Sequence, residues 1–220
     1  MSTAAQPGTA ARRRPGAPRR RRAPKGQGDR LREEIVDAAE ALLLSTGNQD
    51  AVSIRAVADA VGVSPPALYL HFADKTELIL AVCQRHLAHL DRVLDEAAAG
   101  IDDPLESLRR RGRAYVGFGV DNPEIYRILF MMRPTSSPPD WLHARMLESP
   151  SFVHWIGIVQ AALARGAVRP APTHVVALGL WSAVHGLTSL CIAKPDLFEA
   201  DRDTLVGYLL DVLITGIATP

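Results

Sequence analysis

The chain has 220 residues, of which 47% are hydrophobic and 22% charged, so it is typical of a folded globular protein and wholesale disorder is excluded. Its two cysteines, Cys83 and Cys191, are too few for a disulfide framework or a four-cysteine zinc site, and they favour a reduced, cytoplasmic compartment. The formal net charge of +1 conceals two regions of opposite charge, because residues 1–30 carry +8 and the remaining residues −7.

The basic region is the N-terminal segment 1–28, which consists mainly of Arg, Pro, Gly and Ala and contains almost nothing that a core would bury. We therefore predict that residues 1–28 form a disordered basic arm. No apolar stretch follows its basic residues, so we do not expect a secretory signal. The arm could bind a polyanion, since each arginine placed on a phosphate releases counterions, or it could serve only as a solubilising tail.

The rest of the chain shows helical periodicity throughout, without strand alternation and without an internal repeat. In the first helix the apolar residues recur at i, i+3, i+4, i+7 and i+8 from Ile35, with Asp29 as the expected N-cap and Gly47 as the stop. Ser53 and Asp74 are the expected caps of the second and fourth helices. The predicted helices are 30–46, 54–61, 65–73, 75–97, 104–120, 123–132, 140–147, 150–165, 173–193 and 202–217.

The segment 53–72 has the spacing of a helix-turn-helix, in which two short helices are joined by a glycine turn and the second enters the major groove of DNA. Ala58 is small where the two helices would cross, and Gly62 allows the backbone of the turn a conformation that other residues resist. Three helices also pack in this way in proteins that do not bind DNA, so the spacing alone leaves both functions open.

The run from Ser53 to Lys75, SIRAVADAVGVSPPALYLHFADK, resembles the DNA-binding signature of the TetR family of bacterial transcriptional regulators. The resemblance extends over about residues 30–90. In the C-terminal half, Trp181 followed by His185 and Gly186 is similar to one subclass of ligand-binding domains in that family, and the segment 123–127 resembles its sixth helix.

The helical periodicity already predicts an all-α protein, and the resemblance implies that it has an N-terminal three-helix helix-turn-helix head and a C-terminal helical bundle. It divides the chain into the arm (1–28), a DNA-binding domain (29–89, helix-turn-helix 53–72) and a ligand-binding and dimerisation domain (90–220). It further implies a homodimer that binds a palindromic operator in double-stranded DNA, acts as a repressor, and is released when a small-molecule effector tilts the fourth helix. The residues that would meet base edges or phosphates are Ser53, Arg55, Ser64, Pro65, Pro66, Ala67, Tyr69, His71 and Lys75.

The charge of the expected DNA-binding domain departs from this picture. Residues 31–82 contain three basic and eight acidic side chains, a net charge of −5, and the recognition helix has no Lys or Arg. Arginine and lysine make the commonest specific contact with guanine, so that contact is missing from the recognition helix. We hypothesise that the basic arm supplies the missing positive charge by entering the flanking minor groove.

Aromatic, methionine and histidine side chains on several C-terminal helices predict a pocket for an apolar or aromatic effector, although each one alone is more typical of core. The candidates are Tyr115, Phe118, Tyr126, Phe130, Met131, Trp155, Trp181 and His185. The helices 173–193 and 202–217 are expected to pair with those of a second protomer as a four-helix bundle. The candidate interface residues are Gly179, Ala183, Gly186, Leu205, Tyr208, Leu209 and Val212.

Other functions remain as alternatives. Cys83, His86 and His89 are spaced by three residues on the fourth helix and could hold a metal, although no fourth ligand is evident. The basic arm could also make the chain a sequence-neutral DNA-packaging protein.

No catalytic motif is present, so we expect neither an enzyme nor a cofactor. The uncharged stretch Val175–Ala193 has the length of a membrane span, but its polar residues favour a buried helix and no membrane association.

Overall fold

The computed structural model describes residues 28–47, 52–131, 147–197 and 202–220, and within these ranges the chain is helical without β-strands. This confirms the all-α prediction. The helices are α1 (Gly28–Thr46), α2 (Ile54–Val61), α3 (Pro65–Leu68), α4 (Lys75–Ala97), α5 (Pro104–Asp121), α6 (Pro123–Tyr126), α7 (Pro150–Ala164), α8 (Thr173–Ala193) and α9 (Arg202–Ile217). A π-helical turn, Arg127–Met131, continues directly from α6, and a 3₁₀ turn, Pro195–Leu197, follows α8.

Short-range signals fix the start and end of most helices. The Ser53 side chain accepts a hydrogen bond from the Ala56 N–H, and the Asp74 side chain accepts one from the Glu77 N–H. Gly62 ends α2 with φ at 78°, a left-handed conformation that costs glycine little. These local interactions explain why the predicted caps at Ser53 and Asp74 and the stop at Gly62 are confirmed.

The first three helices and the start of α4 enclose one apolar core, which we call the head. Ile35 and Leu43 of α1, Val57 of α2, Leu68 of α3 and Leu78 of α4 are fully buried in it. The remaining helices form the body, which has two further apolar cores around α5. One joins α4, α5, α6, α8 and α9, and the other joins α5, α7, α8 and α9. Because α4 contributes buried side chains to the cores of both the head and the body, it joins the two parts of the protein.

Three of the predicted helices need correction. The third ends at Leu68 and not near Ala73, because the His71 N–H bonds the Leu68 carbonyl three residues back and the chain turns. Asp29 lies in the first turn of α1, so it does not cap that helix but stands where a carboxylate favours the helix dipole. The predicted helix 123–132 changes to π-helical hydrogen bonding at Arg127. Residues 1–27 of the predicted arm, residue 132 and residues 140–146 lie outside the described ranges.

Helix α8 is long and apolar enough to cross a membrane by length and composition alone. One face is buried in the body, with Leu180, Val184 and Leu187 among its residues. Other positions, such as Val175 and Leu178, are exposed in the single protomer. Since only 33% of its most apolar stretch is buried, the prediction of a helix buried on most sides is wrong for the single protomer, and the exposed positions require another explanation.

Candidate DNA-binding surface and effector site

The helix-turn-helix presents one side of the recognition segment Ser64–Asp74 to solvent. Leu68 and Phe72, four residues apart, are buried in the head and fix the inner side. Pro66 and Leu70, which alternate with the buried pair along the segment, are both exposed. This outer side is where a DNA groove could be contacted.

The residues predicted to contact DNA belong to the helix-turn-helix and to the start of α4. Ser53, Arg55, Ser64, Pro66 and Tyr69 are exposed, and the Tyr69 side chain is 55% exposed. The others, Pro65, Ala67, His71 and Lys75, are half-buried. Ser64 makes no side-chain cap bond, whereas the Ser53 hydroxyl oxygen accepts from Ala56.

Leu70 is a candidate that the sequence analysis missed. It is 84% exposed, the highest value for a large apolar side chain in the described residues. The signal for it in the sequence is its place between Leu68 and Phe72, the two apolar residues expected to face inward. The recognition surface is therefore more apolar than predicted.

Most acidic side chains of the head are engaged within the protein. Glu33, Asp37 and Glu40 of α1 all contact the guanidinium of Arg85 on α4, with nitrogen–oxygen distances of 2.7, 2.5 and 3.1 Å. Glu34 pairs with Arg30. Arg30 and Arg85 lie just outside residues 31–82 and pair with acidic residues inside that range. The head therefore presents less negative charge to DNA than the net charge of −5 for residues 31–82 suggests.

Two of the remaining acidic residues, Asp74 and Glu77, accept hydrogen bonds from backbone N–H groups at the start of α4. The Asp74 side chain accepts from the Glu77 N–H at 2.9 Å, and the Glu77 carboxylate accepts from the Ala73 N–H at 2.7 Å. This reciprocal arrangement satisfies backbone donors at the helix N-terminus. Asp59 is exposed on α2.

The body contains a compact aromatic cluster, which we define as Tyr115, Tyr126, Phe130, Trp181 and His185. The ring centroids of Tyr126 and Phe130 are 5.0 Å apart, those of Trp181 and His185 5.1 Å, and those of Tyr126 and His185 5.5 Å. These residues come from α5, α6, the π-helical turn and α8. Five of the eight predicted effector residues therefore lie together.

Hydrogen bonds link the polar atoms of the aromatic cluster. Trp181 Nε1–H donates to the Tyr115 hydroxyl at 3.0 Å, the Tyr115 and Tyr126 hydroxyls are 3.3 Å apart, and the Tyr126 hydroxyl is 2.6 Å from His185 Nδ1. Burial lowers the pKa of His185 and raises the pKa of both tyrosines. We therefore assign a neutral His185 that accepts from Tyr126 at Nδ1 and carries its proton on Nε2, which lies 3.5 Å from Ser189 Oγ.

The other three predicted effector residues lie elsewhere. Phe118 is buried and stacks edge-on with His89 of α4, at 5.7 Å between centroids. Trp155 packs against the separate core of α5, α7, α8 and α9. Met131, at the end of the π-helical turn, is exposed. The sequence identified these three residues as apolar. It did not show which core Phe118 and Trp155 would join, or that Met131 would be exposed.

The predicted dimer residues lie on α8 and α9. Tyr208 and Val212 are exposed, Gly179 and Ala183 are on the accessible side of α8, and Gly179 and Gly186 have open space where a Cβ would lie. Leu205 and Leu209, by contrast, contribute to a core within the protomer, and Leu209 is also exposed in part. These two helices thus leave an apolar surface uncovered.

The predicted metal candidates do not converge. His86 Nε2 lies 3.2 Å from Glu40 Oε1 without good hydrogen-bond alignment, and burial lowers the pKa of His86 despite that carboxylate. His89 contacts Arg92 and Phe118, and burial raises the pKa of Cys83 to about 11. No group of three or more His, Cys, Asp or Glu side chains in the described ranges could hold a metal ion.

The π-helical turn joins the two sites. Ile128 is buried in the head core, and Phe130, two residues later, belongs to the aromatic cluster of the body. Only Leu129 separates these two residues along the chain. Single π-turns of this kind occur often at functional sites.

Two family models match the chain, one in each half. Residues 35–82 match the model of bacterial regulatory proteins of the tetR family, and residues 108–213 match that of the tetracyclin repressor-like C-terminal domain. The HTH-type transcriptional activator FasR of Mycolicibacterium smegmatis is 35% identical over 102 residues, which span 46% of each chain. The match thus covers about half the length of that relative.

Solved structures show the same fold over most of the chain. A TetR family regulator from Marinobacter aquaeolei VT8 superimposes with a TM-score of 0.66 at 20% identity, over 88% of this chain and 98% of its own. The regulator FadR from Bacillus subtilis in complex with stearoyl-CoA gives 0.66 at 14% identity, over 84% and 98%. At these identities the likeness establishes the fold alone.

Proposed function

The chain belongs to the TetR family of bacterial regulatory proteins, a family of DNA-binding transcriptional regulators and not of enzymes, and from this premise we propose how it works. It binds a palindromic operator as a homodimer, represses transcription in the cytoplasm, and is released by a small apolar or aromatic effector. The observation that carries the proposal is the exposed recognition segment held by a fully packed head core. A second core links that head to the aromatic cluster through α4.

The DNA-binding part is tested by selection of bound sequences from random duplex DNA. The full-length chain is used at ~0.15–0.2 M salt, where binding to phosphates alone is weak. We expect enrichment of a palindrome whose half-site centres are about one helical turn apart, roughly 34–36 Å. Tight binding at low salt without any enriched sequence would support the DNA-packaging alternative and contradict sequence-specific regulation.

The effector class follows from the side chains of the aromatic cluster. Its rings provide apolar surface, and its few polar atoms are already paired with one another. Sites of this composition suit ligands that are mainly apolar and carry few polar groups. The stearoyl-CoA that FadR holds has such an apolar chain, so stearoyl-CoA and a set of flat aromatic compounds are suitable probes.

Tryptophan fluorescence tests where the effector binds. Trp181 lies in the aromatic cluster and Trp155 in the other core, so the two residues make a matched pair. A probe that binds in the cluster should change the fluorescence of the unmodified chain and of W155F, whereas W181F should lose most of that change. A response that persists in W181F but disappears in W155F would place the effector elsewhere.

Release of DNA requires that the effector site and the head be coupled. Phe130 and Ile128 provide one connection through the π-helical turn, and α4 provides another through Leu90 in the body core and Leu78 in the head core. Thermodynamic coupling is reciprocal, so operator DNA must weaken effector binding by the same factor. Equal effector affinity with and without operator would contradict release by this route.

The direction of regulation is a separate question. FasR is named an activator, whereas we propose a repressor because release from an operator frees the promoter. A reporter with the selected operator placed across a promoter should be silenced by the chain and restored by the effector. Increased transcription in the presence of the chain would identify an activator instead.

A further inference from the structure

The recognition segment lacks the side chains that usually read bases. Residues 64–74 contain no Arg, Lys, Asn or Gln. Arginine and lysine bind guanine, and asparagine and glutamine bind adenine, through paired hydrogen bonds in the major groove. The segment therefore cannot use either of the two commonest modes of direct base recognition.

What the segment offers to a groove is apolar surface. Leu70 is 84% exposed and lies between the buried Leu68 and Phe72 in the chain, and Pro66, four residues earlier, is also exposed. Tyr69, 55% exposed, flanks them. This leucine is the most exposed large apolar side chain of the described residues.

In the major groove the only apolar group on a base edge is the C5-methyl group of thymine. We propose that Leu70, together with Pro66, recognises the operator by packing against thymine methyl groups, so that these methyl groups and not guanine edges determine its sequence preference. The inference rests on the proposed DNA-binding function and goes beyond it by naming the chemical group that is read.

The size of the effect can be stated in advance. Removal of one buried methyl group from an apolar contact weakens binding by about fourfold. A palindrome presents each contact twice, so the loss should be roughly fifteenfold when the same thymine is changed in both half-sites.

The test replaces thymine with deoxyuridine at each half-site position of the selected operator. Deoxyuridine keeps every hydrogen-bonding group of thymine and lacks only the methyl. The affinity of the full-length, unmodified chain is measured by fluorescence anisotropy at ~0.15–0.2 M salt. At one or more symmetric positions the loss should be roughly fifteenfold, and unchanged affinity at every position would overturn the inference.

Variants assign the contact to Leu70. The L70A chain should bind the thymine operator more weakly and should no longer distinguish thymine from deoxyuridine at the sensitive position. L44A, which shortens a partly exposed leucine on α1, should keep the full distinction. If L70A loses affinity but still distinguishes the two bases, Leu70 does not read the methyl and the inference fails.

The outcomes also distinguish a failure of thymine-methyl recognition from a failure of the proposed DNA-binding function. An operator that is bound tightly and is indifferent to deoxyuridine overturns methyl recognition and leaves the regulator intact. Failure to select any operator contradicts both.

Discussion

Two glycines of α5 show how single residues set the distance between helices. A Cβ on Gly112 would lie 2.6 Å from Leu210 Cδ2 of α9, and one on Gly119 would lie 2.8 Å from Tyr126 Cδ2 and closer still to the Thr188 side chain of α8. Gly179 and Gly186, which are predicted to lie in the dimer interface, have open space around them within the protomer, so their role there stays a prediction. Periodicity identifies an apolar side of a helix, but the neighbour that each glycine meets depends on the tertiary arrangement.

Gly119→Ala should destabilise the body because Thr188 and the Tyr126 ring must move to admit the methyl group. We expect a loss of about 1–3 kcal/mol in the free energy of unfolding, measured by denaturant titration at fixed protein concentration. Gly117→Ala is the matched control, since open space surrounds that position of the same helix. There the change should be neutral or stabilising by up to about 1 kcal/mol. Similar losses for both variants would show that the close contact at Gly119 does not matter.

At the scale of elements, the boundaries of α8 and α9 agree with the predicted helices 173–193 and 202–217. Proline, glycine and charged residues mark their ends in the sequence. The shortened α3 and the π-helical turn at Arg127–Met131 escaped prediction, because a change in hydrogen-bond register leaves the apolar spacing almost unaltered. The attachment of α1 to α4 through Arg85 was also not predicted, since it joins residues about fifty positions apart.

Arg85→Met should weaken the attachment of the head to α4. The substitution retains an apolar stem but leaves Glu33, Asp37 and Glu40 close together without their shared cation. We expect a loss of about 1–2 kcal/mol in stability, which should decrease at high salt. Arg110→Met removes an exposed cation that pairs with Glu106 alone, and should cost less than about 0.5 kcal/mol. Equal costs would show that the shared site has no special strength.

The basic arm is an element whose role depends on charge. It joins the head at Gly28, where a Cβ would lie 3.9 Å from His71 Cε1, beside the recognition segment. Deletion of residues 2–27 should lower operator affinity with the base preference retained. The slope of log affinity against log salt concentration should flatten by about 0.9 for each phosphate that the arm neutralises. Unchanged affinity and slope would show that the arm does not bind DNA.

At the scale of the whole molecule, α8 and α9 leave Val175, Leu178, Tyr208 and Val212 exposed in one protomer. An apolar surface of this kind marks an interaction site more often than a free surface. The family and the all-α architecture could be predicted because both follow from patterns within short segments of the sequence, namely the helical periodicity and the run from Ser53 to Lys75. The helices predicted to pair with a second protomer do expose apolar residues, but the contacts across that proposed interface could not be derived from one chain.

Val212→Asp should disrupt the proposed dimer. Its side chain is 56% exposed in the protomer, so the substitution spares the protomer core while placing a charge in the interface. Val153→Asp on α7 is the control, with 58% exposure outside the proposed interface. Sedimentation velocity should show monomers for Val212→Asp and dimers for Val153→Asp. Dimers of Val212→Asp would exclude α9 from the interface.

The most direct test of the central claim is the ratio of two affinities at the same salt concentration. The full-length chain is titrated onto the selected operator and onto the same duplex with both half-sites scrambled, at ~0.15–0.2 M salt. A dimeric, sequence-specific regulator should prefer the intact operator by at least about 10³-fold and bind it as two protomers. Equal affinity for the two duplexes would contradict specific regulation and leave only the electrostatic attraction between a basic arm and DNA.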